Sequence, residues 1–349
     1  MKRPAAFNNS QLPKRGKKPI SIGSCCSGWC SELIAADSLK LCWESEFACD
    51  CDANVAKLNG HMHSHKRWFD DVYDRAFMAE TCSVDFFMAG FPCQDFSLAG
   101  SGAGIAGSSG KVLLQVVTWI KAKQPRSFLL ENVQGLYLCH KDVLLWLLKE
   151  LSDMRDGQGK PVYRVKWTIL DCKTHGGIPQ SRERVFIAGV KQRHLTGYIE
   201  WPQEVPMVPI TKFIKGGAKP EGIKFPGLMP TGEGAKQRLT AQLQKMRAEG
   251  LDPLSEPYVI DVDGSSIHLQ YGLSPCLTRT RCGNGGHWLS WKQRKMTRDE
   301  VLLLSGMDPK RVPEGIITDK NLLRIAGNAV PIPLLARVMR SVLTAAGLL

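Results

Sequence analysis

Short apolar runs alternate with segments of helical spacing between residues 19 and 190, and this alternation predicts an α/β fold with crossover helices. The predicted strands are 20–25, 40–45, 84–89 and 127–132. Helical patterns lie at 31–38, 52–59, 111–123 and 142–151. Two later runs, 163–170 and 184–190, predict a further antiparallel pair of strands. The first half of the chain is therefore predicted to form one sheet.

The pattern changes after residue 192. Six prolines and six glycines between residues 202 and 234 prevent regular βαβ units there. Residues 191 to 298 hold sixteen Lys and Arg against nine Asp and Glu, which predicts a second, basic domain of irregular segments. The last 25 residues return to a turn and an amphipathic helix. We therefore predict a basic tail at 1–18, a main domain at 19–192 and 322–349, and a smaller, loop-rich domain at 193–321.

The positive charge of the chain predicts a polyanionic partner. The formal net charge is +13, and the first 19 positions hold six basic residues and no acid. Without these six the chain still carries +7, so nucleic acid is the simplest partner. The tail sets two basic clusters ten residues apart and resembles a bipartite nuclear import signal, which predicts a nuclear location. A solvating arm and an organelle transit peptide are the alternatives.

Membranes and metals are not expected partners. No apolar run approaches the roughly 18 residues that span a bilayer. The twelve cysteines lack the spacing of a disulfide framework and no signal peptide is evident, so reduced thiols in an intracellular compartment are expected. A zinc site would draw on Cys42, Cys49, Cys51, His61, His63 and His65. These contain no paired C-x-x-C, so a solvated helix and turn is favoured over a metal site.

Open parallel sheets bind ligands at the carboxyl ends of their strands. This rule gathers five candidate residues along one edge of the predicted sheet: Gly28, Glu46, Asp71, Cys93 and Glu131. A glycine turn lets a cofactor approach the backbone, and an acid after the second strand can accept hydrogen bonds from ribose hydroxyls. Strand-to-helix turns often contain glycine without binding a ligand, so Gly28 gains meaning only together with the acid.

Cys93 and Glu131 are the two reactive candidates. Pro92 ends the strand before Cys93, which leaves the thiol on a loop where an adjacent helix start would favour the thiolate. The alternative is a buried, inert thiol. Glu131 follows the apolar run SFLL, and an apolar surround would keep it protonated near neutral pH. A helix N-cap or a salt-bridge acid is the alternative for Glu131.

Five motifs, in order along the chain, resemble those of one enzyme family. GFPCQDFSLAG (90–100) is similar to the nucleophile motif of the C5-cytosine DNA methyltransferases, and ENVQGL (131–136) to their catalytic glutamate motif. GIPQSRERVFIAG (177–189) resembles their Gln-x-Arg-x-Arg motif, RKMTRDEVLLLSGM (294–307) the segment after their recognition region, and GNAVP (327–331) their closing motif. The resemblance implies a Rossmann-like, S-adenosylmethionine-dependent methyltransferase fold, with the main domain as the catalytic domain and 193–321 as the target-recognition domain.

The resemblance also implies a role for each matching residue. Cys93 would add as thiolate to C6 of cytosine, Glu131 would hold N3 and the exocyclic amine, and Arg182 would contact the base carbonyl with Arg184 in support. C5 would then take the methyl group of S-adenosylmethionine. The implied cofactor-binding residues are Ser27, Gly28, Trp29, Glu46, Phe47, Asp71, Pro92, Asn328 and Val330.

Double-stranded DNA is the implied partner, with the target base rotated out of the helix. The predicted DNA contacts are Gln94, Arg279 and Arg281, of which the two arginines lie in the segment TRTRCGNGGHW (278–288). An ordinary solvated loop is the alternative reading of this segment.

Two other functions stay open. A tRNA cytosine methyltransferase of the same fold is disfavoured by the import-like tail and by the absence of that branch's Cys-Phe-Thr tripeptide. A catalytically silent, DNA-binding homologue is disfavoured by the intact catalytic motifs. The first motif does depart from the family, because Cys26 and Cys30 stand where an aromatic residue and a second glycine are usual. A side chain at Cys30 restricts backbone angles that glycine would permit.

Overall fold

The computed structural model describes residues 18–92, 107–216, 230, 232–264 and 267–349. The chain divides into two compact units. The first consists of Met1–Leu170, Glu183–Gln203 and Leu334–Leu349, and the second of Asp171–Arg182 and Glu204–Pro333. Compared with the boundaries predicted at 192 and 322, the first unit extends to residue 203. The second unit also takes residues 171–182 and 322–333.

A seven-stranded sheet in the order β3-β2-β1-β4-β5-β7-β6 forms the centre of the first unit. Its strands are β1 (Ile20–Cys25), β2 (Trp43–Cys49), β3 (His65–Phe69), β4 (Phe86–Gly90), β5 (Ser127–Val133), β6 (Tyr163–Asp171) and β7 (Glu183–Lys191). The first five strands are parallel, and β7 is antiparallel to β5. The α/β fold predicted from the alternating pattern is thus confirmed.

Six helices in the described part of the chain follow the strands of this sheet. They are α1 (Ser31–Ser38), α2 (Ala53–Met62), α3 (Arg75–Glu80), α4 (Ser108–Lys123), α5 (Gly135–Leu138) and α6 (Lys141–Ser152). Of these, α1, α2, α4 and α6 match the predicted helical patterns, and α3 and α5 were not predicted. Asp52 and Asp74 cap α2 and α3, because each carboxylate accepts a hydrogen bond from a backbone N–H of the first turn. The central strand β4, FFMAG, is apolar throughout, as expected for a parallel strand that is covered on both faces.

Two strands differ from the prediction. β3 was not predicted, because His65, Lys66 and Arg67 interrupt the apolar run that would have marked it. β2 starts three residues later and ends four residues later than the predicted strand 40–45. Its glutamates, Glu44 and Glu46, both pair with Lys66 of β3, at 2.9 and 2.6 Å. Polar side chains therefore hid β3 from the sequence pattern and shifted the predicted bounds of β2.

The second unit contains a four-stranded antiparallel sheet in the order β11-β10-β8-β9. Its strands are β8 (Tyr258–Asp261), β9 (His268–Tyr271), β10 (Trp288–Leu289) and β11 (Arg294–Lys295). The helices of this part of the chain are α7 (Cys172–His175), α8 (Glu233–Ala248), α9 (Arg279–Gly283), α10 (Arg298–Leu304) and α11 (Asp319–Asn328), and the final helix is α12 (Ile332–Ala345). Strands of two to four residues give no periodic signal, so only an irregular domain was predicted here.

The backbones of helices α9 and α11 lie in direct contact at Gly327. A Cβ at Gly327 would lie 2.5 Å from backbone atoms of Thr278 and Arg279. Such a separation is far below van der Waals contact, and backbone cannot move aside as a flexible side chain can. Position 327, inside the closing motif GNAVP, therefore accepts glycine alone.

No single helix of the described residues is long and apolar enough to cross a membrane, and α11 with α12 meets that length and composition only as a bent pair. No three His, Cys, Asp or Glu side chains in this part of the chain come together as a possible metal site. His65 Nδ1 instead lies 2.7 Å from Ser45 Oγ, and His63 Nε2 lies 3.1 Å from the Trp29 carbonyl. All eleven described cysteines are free thiols.

Candidate active site

The strand order of the first unit reverses between β1 and β4. The chain builds outward from β1 through β2 and β3 and then returns to the other side of β1 with β4. In open parallel sheets such a reversal leaves a crevice at the carboxyl ends of the two strands, and ligands bind there. The loop 26–30 after β1 and residues 91–92 after β4 therefore flank the candidate site.

The loop after β1 has a left-handed backbone at three positions. Cys26, Gly28 and Cys30 have φ angles of 52°, 54° and 56°. Cys30 thus adopts a left-handed conformation that costs glycine less free energy than cysteine. This agrees with the expectation that a side chain at position 30 restricts the backbone. A Cβ at Gly28 would meet no atom within 4 Å, so open space lies in front of this residue. A ligand can therefore approach the Cα of Gly28 closely, while its N–H and carbonyl are bound to Asp50 and Asn59.

Ser27 and Trp29, on either side of Gly28, are turned into the protein. Ser27 Oγ donates to the Cys49 carbonyl at 3.1 Å and lies 2.7 Å from Ser24 Oγ. The Trp29 side chain is fully buried, and its Nε1 donates to Ser31 Oγ at 2.7 Å. These contacts fix the loop against the sheet. A cofactor contact of the Trp29 ring stays a prediction.

Asp50, and not Glu46, is the acid at the carboxyl end of β2. Glu46 was chosen because the second strand was predicted to end before it, but β2 continues to Cys49 and Glu46 lies inside the strand, paired with Lys66. The geometric basis for Glu46 is therefore wrong. Asp50 Oδ2 accepts a hydrogen bond from Gly28 N at 2.9 Å, which joins this carboxylate to the loop after β1. Sequence reasoning missed Asp50 because it misplaced the strand end.

Phe47 is a core residue. Its ring is 1% exposed and packs at centroid distances of 5.8, 6.4 and 5.4 Å from Phe77, Phe87 and Trp119. A Cβ at Gly23 would lie 2.4 Å from the Phe47 ring, so the glycine of β1 makes room for it. Phe47 was implied as a cofactor-binding residue by the family resemblance, and the structure corrects this, because the ring lies in the core.

The other predicted cofactor residues are placed as follows. Asp71 comes two residues after β3, and its Oδ1 accepts from Tyr73 N at 2.9 Å. Pro92 follows β4 and is partly exposed. Asn328 and Val330 belong to the second unit, where Asn328 is exposed at the end of α11 and Val330 is buried. Asp71 and Pro92 thus lie at the carboxyl edge of the first-unit sheet, as predicted.

Glu131 and Arg184 form a nearly buried ion pair. Arg184 Nε lies 3.0 Å from Glu131 Oε1, and both side chains are about nine-tenths buried, at 10% and 9% exposure. Glu131 pairs in register with Gly90, the last residue of β4, and a Cβ at Gly90 would lie 3.3 Å from Glu131 Oε2. The salt-bridge alternative for Glu131 is therefore the observed one, and the surround is not purely apolar. Cys93 and Gln94 lie outside the described residues.

Arg182 has a different environment from Arg184. Its side chain is buried in the second unit, where its Nη atoms donate to the Leu277, Gly327 and Ala329 carbonyls at 2.8, 3.0 and 2.8 Å. These three bonds tie the closing motif to the segment before α9. Arg182 is thus held by main-chain acceptors, and a contact with the base stays a prediction.

Arg279 and Arg281 are also unlike each other. The predicted loop contains the short helix α9, capped by Thr278, whose Oγ1 accepts from Arg281 N. Arg279 is exposed. Arg281 Nε donates to Asp261 Oδ2 at 2.8 Å, and its side chain is 24% exposed. Arg279 is therefore the more accessible of the two for DNA.

Glu32, which the sequence analysis passed over, is a buried carboxyl group close behind the loop after β1. It lies in the first turn of α1 and is 2% exposed. Burial raises the pKa of Glu32 from 4.5 to about 7, although hydrogen bonds from its own backbone, Ser24 and Cys30 oppose this rise. An acid in the first turn of a helix is ordinary in a sequence, so nothing marked it as buried.

The doubly wound sheet, the crevice beside Gly28 and the paired carboxylate at the end of β5 define a Rossmann-like methyltransferase fold. The chain belongs to the C-5 cytosine-specific DNA methylase family, whose model matches residues 43–344. M.Bsp6I, a type II methyltransferase of Bacillus sp., is 26% identical over 307 residues, which cover 86% of this chain and 91% of that protein. M.NgoBV, a type II methyltransferase of Neisseria gonorrhoeae, is 38% identical over 155 residues, covering 42% of this chain and 36% of that protein.

The chain thus matches less than two thirds of the length of some relatives, as with M.NgoBV and with M.HaeII of Haemophilus aegyptius, of which 31% is covered. Among solved structures, the Dnmt2 methyltransferase of S. pombe has a TM-score of 0.62 at 16% identity, covering 93% of this chain and 98% of that chain. The methyltransferase EhMeth of Entamoeba histolytica has the same TM-score and identity and covers 94% and 99%. At this identity the two structures support the fold.

Proposed function

We propose that the protein methylates C5 of cytosine in double-stranded DNA and uses S-adenosylmethionine as the methyl donor. The observation that carries this proposal is the Glu131–Arg184 ion pair, which lies beside Gly90, three residues before Cys93. Cytosine activation requires a carboxyl group near the nucleophilic thiol, and the sequence places Cys93 three residues after Gly90, the register partner of Glu131. The family membership supports the same reaction.

In the proposed reaction the Cys93 thiolate adds to C6 of the flipped-out cytosine. A sulfur–carbon bond forms, and the ring electrons make C5 nucleophilic. Glu131 donates a proton to N3 and accepts a hydrogen bond from the exocyclic amine, which stabilises the negative charge that develops on the ring, while Arg184 holds the carboxyl group in place. C5 would then take the methyl group, with the electrons of the broken methyl–sulfur bond staying on the sulfur of the donor. Loss of the C5 proton to a base re-forms the C5–C6 double bond and expels the Cys93 thiolate, and N3 returns its proton to Glu131.

The loop after β1 fits the proposed cofactor. Gly28 opens onto free space, and the Asp50 carboxylate beside it supplies an acceptor for ribose hydroxyls. When bound, S-adenosylmethionine supplies the methyl group. In this proposal Gly28 and Asp50 bind the donor together with Asp71 and Pro92, and the family resemblance adds Ser27, Asn328 and Val330.

Asp50→Asn is expected to weaken S-adenosylmethionine binding about 10- to 100-fold, since a charged hydrogen bond to a hydroxyl contributes about 1.5–3 kcal/mol. Isothermal titration with the cofactor gives the Kd. Glu46→Gln is the matched control, because Glu46 lies inside β2 and pairs with Lys66 of β3. The cofactor affinity of this variant should equal that of the unmodified protein. Weaker binding by Glu46→Gln with unchanged binding by Asp50→Asn would show that Glu46, and not Asp50, binds the ribose.

The proposed DNA partner is supported by the positive charge of the chain and by the exposed Arg279 in the second unit. Since C5 is hidden in a stacked duplex, the base must rotate out to meet Cys93. Gln94 and Arg281 remain predicted contacts. The nuclear location predicted from residues 1–18 also stays a prediction, since residues 1–17 lie outside the described part of the chain.

Methyl transfer from radiolabelled S-adenosylmethionine tests the proposal. We expect label in unmethylated duplex DNA, none in tRNA, and loss of labelling in Cys93→Ser, because a hydroxyl at this position is a far weaker nucleophile than a thiolate. Label in tRNA alone would show that the substrate is tRNA and not DNA. Equal labelling by Cys93→Ser would refute the covalent route, and no label on either polymer would favour the silent homologue.

A further inference from the structure

A basic cavity lies at the amino-terminal edge of the first-unit sheet. Its volume is about 240 Å³, and it is lined by Lys18, Ser21, Ser83, Val84, Asp85, Arg126, Lys191, Arg193 and His194. The candidate active site lies at the opposite, carboxyl edge. The five residues of β4 separate the two edges by roughly 16 Å at 3.3 Å per residue. The cavity is therefore distinct from the proposed methylation site.

The sheet itself holds the cavity residues in place. Asp85 directly precedes β4, Arg126 directly precedes β5, and Lys191 is the last residue of β7. Lys191 N donates to the Arg126 carbonyl at 3.0 Å, which continues the pairing of β5 with β7. The cationic side chains thus rise from adjacent strand ends on a fixed backbone.

Positive charge in the cavity exceeds negative charge. Four cationic residues and His194 face one acid, Asp85, whose Oδ2 already accepts from Ser21 N and Ser21 Oγ at 3.0 and 2.9 Å. The Arg126 guanidinium donates to the Ala346 and Gly347 carbonyls, which leave its charge uncompensated. Like charges gathered in this way repel one another unless an anion lies among them.

Lys191 is the most informative residue of the cluster. It is 8% exposed, and no described residue forms a hydrogen bond or an ion pair with its ammonium group. Burial and the nearby Arg193 lower the pKa of Lys191. The pKa of His194 is also lowered, by burial and then by Arg126, Arg193 and Lys191. An ammonium group that opens into a cavity among other cations, with no described partner, is a group that a bound anion would stabilise.

We propose that this cavity binds a phosphate group through Lys18, Lys191 and Arg193. A phosphate carries up to two negative charges and several acceptor oxygens, which match ammonium and guanidinium donors from different strands. Two sources share this chemistry, namely the backbone of a nucleic acid and a free phosphate or diphosphate. The basic sequence that continues before Lys18, with Lys14, Arg15 and Lys17, favours the polymer.

The first arm of the test measures binding of a dA·dT duplex, which contains no cytosine and so does not report on base flipping. The logarithm of the association constant is followed against the logarithm of the salt concentration. Each phosphate contact adds about 0.9 to the slope, so Lys191→Gln combined with Arg193→Gln should reduce it by about 2. Lys40→Gln combined with Lys57→Gln, two exposed lysines of the same unit, removes the same charge and should leave the slope unchanged.

The second arm measures the thermal unfolding midpoint with inorganic phosphate or diphosphate, compared with chloride at equal ionic strength. A free-phosphate site predicts a higher midpoint for the unmodified protein and for the Lys40, Lys57 control, and no rise for the Lys191, Arg193 variant. Because Lys191 is largely buried, Arg193→Glu at an exposed position serves as a second variant, and it should lose the effect while folding normally.

A reduced salt slope assigns the site to a nucleic-acid backbone, and a phosphate-dependent midpoint without a slope change assigns it to a free phosphate. If neither quantity differs between the cavity variants and the lysine control, the cavity binds no phosphate and the proposal fails. Neither arm depends on methyl transfer, so this failure is separate from a failure of the proposed function.

Discussion

Glu131→Gln is expected to lower the rate of methyl transfer by about 100- to 1000-fold, because an amide cannot give N3 the proton that stabilises the negative charge developing on the cytosine ring. Glutamine keeps the size of the side chain but cannot replace the carboxyl group beside N3 and Arg184. Loss of one partner of a nearly buried ion pair also leaves the Arg184 charge uncompensated. The measurement is the single-turnover rate on duplex DNA, made at a temperature where circular dichroism shows a folded variant.

Glu183→Gln is the matched control for this loss. Glu183 precedes Arg184 in β7 and is exposed, so the same substitution there should leave the rate unchanged. A double-mutant cycle with Arg184→Gln adds a sharper criterion. If the two residues act as one unit, the double variant should lose little more than Glu131→Gln alone, and fully multiplicative losses would contradict the pairing. A Glu131→Gln protein with an unreduced rate would remove Glu131 from the proposed mechanism.

Glu32→Gln is expected to change the free energy of unfolding in a pH-dependent way. The change should be about 3 kcal/mol more favourable at alkaline pH than at acid pH. The pKa of Glu32 is raised from 4.5 to about 7, and one pKa unit corresponds to about 1.36 kcal/mol. Since the folded-state pKa lies above the unfolded one, the folded protein binds the proton more tightly. This contribution to stability is complete below pH 4.5 and is lost as the pH rises to 7. Glutamine stays neutral and avoids the loss.

Urea unfolding of both proteins at pH 5 and pH 8 provides the measurement. His65, whose pKa burial lowers to about 3, also makes stability depend on pH, but it is common to both proteins and cancels in the difference. Glu314→Gln, an exposed substitution, should show a difference from the unmodified protein that does not change with pH. A constant difference for Glu32→Gln as well would mean that Glu32 is ionised in the folded protein at both pH values.

The sequence predicted the sheet well where burial makes a strand apolar and poorly where only one face is buried. β1 and the helix α1 have the predicted bounds, because their buried residues are continuous. In β2 the partly buried Glu44 and Glu46 alternate with buried residues, and the sequence was therefore interpreted as leaving the strand at Glu46. That single error moved the ribose acid from Asp50 to Glu46.

The partners of the arginines could not be predicted, because they are distant along the chain. Arg182 and Arg184 are two residues apart in one motif, and nothing local tells them apart. Arg184 meets Glu131 from another strand, whereas Arg182 meets carbonyls more than ninety residues later. Arg281 likewise pairs with Asp261, which lies twenty residues earlier in the chain, and no local sequence pattern indicates this pair. Only the folded topology distinguishes a site arginine from a structural one.

The three carbonyls bound by Arg182 also constrain how recognition could be transplanted between relatives. A segment cut at residues 193 and 321 would carry the Leu277 carbonyl away while leaving the guanidinium and the Gly327 and Ala329 carbonyls behind. The buried Arg182 guanidinium would then have lost one hydrogen-bond acceptor, and the transplanted segment would lack the arginine that binds its Leu277 carbonyl. A chimaera that moves residues 171–182 together with 204–333 keeps the arginine with all three acceptors, so the exchangeable module of this protein is discontinuous in sequence.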